Sequence, residues 1–330
     1  MKKVFIIISN GFGGIKTYEN NITKYLKKEK KTVYFVGEKN NKNNFFNCDT
    51  LYQPIKTFKN FIKIKKKNTD KEFFFLISNP LILIIYFFPL KFFFKKKKII
   101  LTKHSHIFKM TLKQLIIGFI SSILSIFIDN VVFVSKFTQQ WWFKYFFFYR
   151  FSKNKIIYNF IFDIKKLKKN NKTFNIGFVG RTDNEKGFKK YIEIANYIKS
   201  SKINFLIFGN KKNEQSNNRN VKLYGWQNKK NIYKKINLLL VTSPIENCPF
   251  SVLEAKSYGI PTLSISDGGI KEIIQNKRDG ILLSNDCSLK KIVKNIFYIK
   301  KNYNFFSAQC INNINRFSYK LQKKNLLKIF

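Results

Sequence analysis

Acidic residues are scarce in this sequence: 18 Asp and Glu stand against 63 Lys and Arg, a formal charge of +45. Such an excess suits a nucleic-acid binder or a protein held on an anionic membrane. No RNP, zinc-finger or helix-turn-helix signature accompanies it, and the cations are nearly all Lys, spread along the chain. The charge therefore reads as compositional bias plus attraction to a membrane surface, not specific nucleic-acid recognition. Cysteine is also sparse. Cys48, Cys248, Cys287 and Cys310 lie far apart with no CxxC pair, which excludes a disulfide framework or zinc knuckle and fits a reducing cytoplasm. Histidine is rarer still, with only His104 and His106. Long uninterrupted apolar runs are missing too. Ser78-Asn79-Pro80 splits the uncharged stretch 73–90 into strand and helix, and 115–128 is too short to span a bilayer before Asp129 closes it. The opening MKKVFIII is cut short by Ser9-Asn10-Gly11 and reads as a strand, not a signal peptide.

What is present is an alternation of short apolar runs and helical patterns. Val4–Ser9 leads into Gly11-Phe12-Gly13-Gly14 and a helical pattern, with further strands at Val33–Val36, Phe73–Ser78, Ile99–Lys103 and Val131–Val134. After a lysine-rich stretch at 163–173 the rhythm restarts, with strands at 175–179, 204–208, 221–224, 238–242 and 262–265. Alternation of this kind predicts an α/β protein of two doubly wound, Rossmann-like domains facing a cleft. The expected bounds are 1–162, 163–317, and a C-terminal helix in 318–330 that packs back toward the N-terminal domain.

Two stretches carry chemistry. Glu246 follows an apolar strand, and Glu254 lies on the opening turns of the next predicted helix, which begins near Phe250. That places Glu246 at the carboxyl edge of a sheet, where open α/β folds bind ligands. The free amide groups of Phe250, Ser251 and Val252 at the helix start suit a diphosphate, and Glu254 suits ribose hydroxyls. Gly180-Arg181-Thr-Asp-Asn-Glu-Lys186-Gly187 follows another strand, so that Arg181 and Lys186 can converge on phosphate oxygens.

These stretches, FVGRTDNEKGF (178–188), TSPIENCPFSVLEAKSYGIPTL (242–263) and DGGIKEII (267–274), resemble the family 4 glycosyltransferases of the GT-B fold, the group 1 enzymes acting on cell-surface polysaccharides. The resemblance implies that Arg181 and Lys186 bind the donor diphosphate, Glu246 lies by the donor sugar and Glu254 holds the ribose. It also implies that Gly13-Gly14 form a glycine loop near donor or acceptor. Either His104 or His106 would then face the transferred sugar, and spacing does not choose between them. The chain departs from the family at Asn159-Phe160-Ile161-Phe162-Asp163, before the linker, and at Ser266-Asp267, where the Asp comes one place late.

The implied activity is retaining transfer of a hexosyl-type sugar from a nucleotide-sugar donor to a glycan or lipid-linked acceptor. No DxD motif is present, so no metal or other cofactor is expected and Arg181 and Lys186 take the cation's role. A GT-B-fold epimerase and a non-catalytic basic protein on membranes or nucleic acid are the rival readings. The expected location is cytoplasmic, peripheral on the inner face of a membrane. The run Trp141–Phe151, with nine aromatics in eleven residues, is its expected contact.

Overall fold

The computed structural model describes residues 3–9, 13–37, 45–47, 49–107, 110–167, 173–209 and 219–330. Gly11 and Phe12 of the glycine loop, Cys48, and 168–172 of the expected linker lie outside them. The chain divides into two compact units, Met1–Asn159 with Gln322–Phe330, and Phe160–Leu321. The division comes just before the sequence-based boundary because Phe160 and Ile161 are buried in the second unit. There Ile161 N donates to Phe317 O (3.0 Å) and Tyr319 N donates to Ile161 O (2.7 Å).

The first unit is built on seven parallel strands: β1 (Lys3–Ser9), β2 (Thr32–Gly37), β3 (Phe45–Asn47), β4 (Glu72–Ile77), β5 (Lys97–Lys103), β6 (Asn130–Phe133) and β7 (Asn154–Ile156). Their order is β3-β2-β1-β4-β5-β6-β7. The central strands read as near-continuous apolar runs because helices cover the sheet, and Val4, Ile6, Phe75, Ile77, Ile99 and Leu101 sit in one core. Helix Pro80–Phe93 starts where Asn79 Oδ1 accepts from Leu81 N (2.9 Å), with Pro80 in its first turn. That cap and Pro80 separate strand from helix inside the uncharged stretch 73–90. Beyond the final helix, Tyr319–Leu327, the Phe330 ring packs edge-on against Phe5 and Phe74 of β1 and β4.

The aromatic run departs from a single helix. Helix Lys136–Tyr145 stops at Phe146 (φ −136°), and a 3₁₀ turn, Phe147–Phe151, follows. Trp142 (3% exposed), Phe146 and Tyr149 therefore belong to the core, while Tyr145, Phe147 and Phe151 face outward. The expected contact thus splits into a buried and an exposed set, since a turn in the chain sends neighbouring rings in opposite directions.

The second unit repeats the topology. Strands β8 (Phe174–Val179), β9 (Ile203–Phe208), β10 (Val221–Gly225), β11 (Leu238–Val241), β13 (Thr262–Ser264) and β15 (Gly280–Leu282) form a parallel sheet of order β10-β9-β8-β11-β13-β15. Two further short strands, β12 (Ile245–Glu246) and β14 (Asp267–Gly268), pair parallel to each other apart from the main sheet. The order reverses between β8 and β11, and at such a switch point the loops diverge and leave room for a ligand.

Candidate active site

The two strands that flank the switch point of the second sheet deliver its charged residues. After β8 the chain turns through Gly180 into a short 3₁₀ turn, Asn184–Lys186, capped by Asp183, whose Oδ1 accepts from Lys186 N (2.9 Å). Gly187 then takes φ 67°, and a Cβ there would fall 1.9 Å from Thr242 O. Only glycine fits, so the loop is pinned against the end of β11. This contact places Lys186 opposite Glu246. Lys186 Nζ donates to Glu246 Oε1 (2.6 Å), and Ser243 Oγ donates to the same oxygen (2.8 Å). The Glu246 side chain is about one-tenth exposed and that of Lys186 one-third, so the pair sits in a partly dry edge where it is held firmly.

Glu246 is held from its other side as well. β12 pairs with β14, with Glu246 opposite Gly268, so the Gly268-Gly269 turn lies alongside it. The late Asp of this turn, Asp267, accepts from Asn285 Nδ2 (3.0 Å) and pairs with Lys271 (2.5 Å). It therefore anchors the turn. The ends of β8 and β11 also border an open pocket of about 360 Å³ lined by Asn184, Gly187, Lys190, Thr242, Pro244 and Asn285.

Arg181 has other ion-pair partners than Lys186. Its guanidinium pairs with Asp183 (2.9 Å) and Glu185 (2.7 Å) on its own loop and is largely exposed. The Glu185 hydrogen bond holds its pKa above the ordinary value, with Asp183, Glu185 and Glu246 adding to the effect against some burial. Sequence reasoning named the cations of this loop and passed over the two acids beside them.

Helix Phe250–Ser257 starts at Pro249 with no side-chain cap. The amides of Phe250, Ser251 and Val252 thus lack intrahelical acceptors and point out of its positive end. One turn further in, Glu254 receives Tyr233 Oη at 3.1 Å, the same hydroxyl lying 3.1 Å from Ser251 O. Lys229 lies 3.8 Å away. Burial raises the Glu254 carboxyl above its usual range, and Lys229 and Tyr233 partly offset this.

The other end of this helix is fastened by a group that no sequence signal distinguished. Lys256, wholly buried, donates to Asp279 Oδ2 (2.7 Å) and Ile273 O (2.8 Å). Asp279 also accepts from Gln275 N (2.9 Å) and Asn313 Nδ2 (3.2 Å), while Arg316 donates to Glu272 O and Ile273 O. Burial pushes the Lys256 amine below its usual range, with Asp279 working against it. In a chain of 63 cations nothing local marks Lys256 as the buried one.

At the carboxyl edge of the first sheet the residues are quieter. Gly13 has φ 59° and starts helix Gly14–Lys28, and a Cβ at Gly13 or Gly14 would meet nothing. Backbone conformation, and not crowding, is what asks for glycine at Gly13. His104 lies edge-on to Tyr18, with Nε2 3.1 Å from Thr102 Oγ1, and burial pushes its pKa down to about 3. It is therefore neutral at pH 7. The His106 ring lies edge-on to Phe137 and Trp141. Beside them, and unforeseen, Lys103 is buried with Nζ 3.6 Å from the Trp142 ring centre and 4.7 Å from that of Tyr149. Its amine is pushed well below its usual range by burial.

Comparison with known proteins fits this geometry. Residues 159–317 match the family model of glycosyl transferases group 1. A curated relative, an uncharacterized 41.2 kDa protein in the cps region of Klebsiella pneumoniae, is 28% identical over 160 residues, which cover 43% of this chain and 45% of that protein. Among solved structures, the lipopolysaccharide outer core galactosyltransferase WaaB is similar at 19% identity and TM-score 0.70, over 100% of this chain and 99% of its own. Anabaena Alr3699/HepE in complex with UDP-glucose aligns at 14% identity and TM-score 0.72, over 99% of both chains. At these identities the likeness to solved structures is one of fold. The matched segment, which holds Arg181, Lys186, Glu246 and Glu254, is thus similar to the group 1 glycosyltransferases, and the chain as a whole has the GT-B fold.

Proposed function

We propose that the protein is a retaining glycosyltransferase whose second unit binds a nucleotide-sugar donor and transfers its sugar without a metal. The observation that carries this reading is the convergence of Glu246, Lys186 and Ser243 at the switch point of the second sheet. Glu254 supports it, standing one turn behind the uncapped amides of a helix. The donor's diphosphate takes the amides of Phe250–Val252 and the cations Lys186 and Arg181, exchanging the carboxylates these cations hold in the free protein. As the anomeric bond breaks, negative charge grows on the leaving phosphate, and these preorganised donors favour that state by several kcal/mol, roughly 10²–10³ in rate per donor. Glu246 orients sugar hydroxyls, and Glu254 accepts from the ribose. The first unit binds a glycan or lipid-linked acceptor, with His104, held neutral by burial, or His106 contacting the transferred sugar or the acceptor by hydrogen bonding. We assign no catalytic base.

The Anabaena neighbour's UDP-glucose supports a nucleotide-sugar donor. The relative from a cps region and the lipopolysaccharide galactosyltransferase support a role in surface polysaccharide or glycolipid synthesis, which this reading sets on the cytoplasmic side of a membrane. Release of nucleoside diphosphate from a panel of nucleotide sugars, with and without EDTA, tests the reading. Turnover with one donor class that survives chelation, with the anomeric configuration of the transferred sugar retained, is expected. A rate that collapses with EDTA and returns with Mg²⁺ or Mn²⁺ contradicts metal independence, and no release from any donor contradicts the activity.

A further inference from the structure

Helix Leu112–Leu124 of the first unit is reversed with respect to an ordinary amphipathic helix. A capping box opens it: Thr111 Oγ1 accepts from Gln114 N and Gln114 Oε1 accepts from Thr111 N. Its buried residues are Gly118, Ser121 and Ser122. The large apolar ones, Leu112 (74% exposed), Leu115, Ile116, Phe119 (53%) and Ile120, face solvent. They recur at i, i+3, i+4, i+7 and i+8 and so form one continuous stripe. The reason lies beneath the helix. A Cβ at Gly118 would fall 2.1 Å from the Phe146 ring, and Ser121 Oγ is 2.8 Å from Tyr149 Oη. The small face is therefore seated on buried aromatics, and among the described residues the large face stays mostly exposed, with only the Phe148 ring against Phe119.

The stripe continues onto its neighbours. Phe119 touches the Phe148 ring, and the exposed Phe147 and Phe151 pack edge-on against each other, with the Arg150 guanidinium 5.4 Å from the Phe147 ring centre. Lys113, Lys144, Arg150 and Lys153 are exposed around this surface. Between Phe73 and Phe162 the sequence has thirteen Lys or Arg and one acid, Asp129. The Asp129 carboxylate is engaged by Ile99 N.

An apolar face of this kind needs a cover. A second copy of the chain would bring one strongly cationic body against another, at a charge of +45 each, which disfavours self-association. An anionic bilayer offers both an apolar interior for the stripe and counter-charge for its rim. At thirteen residues the helix is roughly 20 Å long, short of the roughly 30 Å hydrocarbon core, so it lies in the interface plane. Among the described residues no helix is long and apolar enough to cross a membrane. We propose that helix Leu112–Leu124, with Phe147 and Phe151, is a docking surface that seats the protein in one leaflet of an anionic bilayer. This keeps only the outward-facing end of the aromatic run in the membrane contact and centres that contact on the reversed helix beside it. It stands whether or not the donor site is assigned correctly.

Co-sedimentation of the full chain with phosphatidylglycerol/phosphatidylcholine vesicles, and with phosphatidylcholine alone, tests the proposal. The double variant Leu115→Gln/Phe119→Gln changes two exposed side chains, and its thermal melt checks that the fold is kept. Wild type should pellet with the anionic vesicles, and the double variant should partition at least about tenfold more weakly. Phe305→Gln, an exposed aromatic in the second unit, should bind like wild type. Equal pelleting of the double variant and wild type overturns the docking surface and leaves charge alone as the attraction. Wild-type self-association in sedimentation velocity that the double variant abolishes, without vesicle binding, overturns it in favour of a second copy.

Discussion

The second sheet repeats the order of the first six strands of the first sheet, yet their carboxyl edges carry different chemistry. At the second, paired charges meet at the switch point: Lys186 with Glu246, Arg181 with Asp183 and Glu185, and Glu254 with Tyr233 and Lys229. At the first, the described polar residues are muted. His104 is kept neutral against Tyr18, and Lys103 is stacked on aromatic rings. Topology therefore decides where a ligand can bind, and the loops decide what kind. An edge of held charges suits a fixed anionic group such as a diphosphate, whereas a neutral, aromatic edge suits uncharged sugar faces.

The largest effect should come from the support beneath the charged edge. Asp279→Ala leaves the Lys256 ammonium buried without its carboxylate, and loss of such a partner costs about 3–5 kcal/mol. Thermal melts should show the second unit unfolding well below wild type, and an unchanged melt would mean that the helix carrying Glu254 is not held this way. A smaller effect concerns pH. Because burial raises the Glu254 pKa, the carboxylate is lost earlier on acidification than an ordinary Glu near 4.5. The sign is that donor affinity is present above the raised pKa and falls as pH drops through it, by about tenfold per unit below it. Titration calorimetry across this range should give that slope for wild type and a flat profile for Glu254→Gln, and equal slopes would remove Glu254 from donor binding. The smallest effect is at Arg181, whose two acidic partners compete with a phosphate. Glu185→Gln should tighten donor binding by about twofold to fivefold, the scale of one exposed ion pair. Weaker binding instead would mean that the Glu185 contact positions Arg181 for the ligand.

The alternation of apolar runs and helices made both doubly wound sheets legible, and the Glu246–Glu254 spacing marked the charged edge. Short edge strands such as β3 and β7 left too little pattern to read. The Lys256–Asp279 pair stayed hidden because burial of a lysine is decided by packing from distant segments around Gln275 and Asn313. Helix Leu112–Leu124 was legible only as an apolar segment too short to span a bilayer. Its apolar periodicity specifies a face correctly but not which way that face points, and Gly118 and Ser121, which settle the direction, carry meaning only once Phe146 and Tyr149 are in place. The run Trp141–Phe151 failed as a unit because a turn at Phe146 divides it.

The central claim is that the second sheet's edge, and not the first, holds the nucleotide-sugar donor. Calorimetry of the best-bound nucleotide sugar against wild type, Glu254→Ala, Arg181→Ala and His104→Ala tests it most directly. Loss of one charge-assisted contact is worth about 1.5–3 kcal/mol, so Glu254→Ala and Arg181→Ala should each weaken binding by roughly ten- to a hundredfold. His104→Ala, which touches the sugar or the acceptor and not the diphosphate, should bind the nucleoside diphosphate as wild type does and lose far less donor affinity than the other two variants. Wild-type affinity in both Glu254→Ala and Arg181→Ala, with the loss falling on His104→Ala, would place the donor on the other edge and contradict the account.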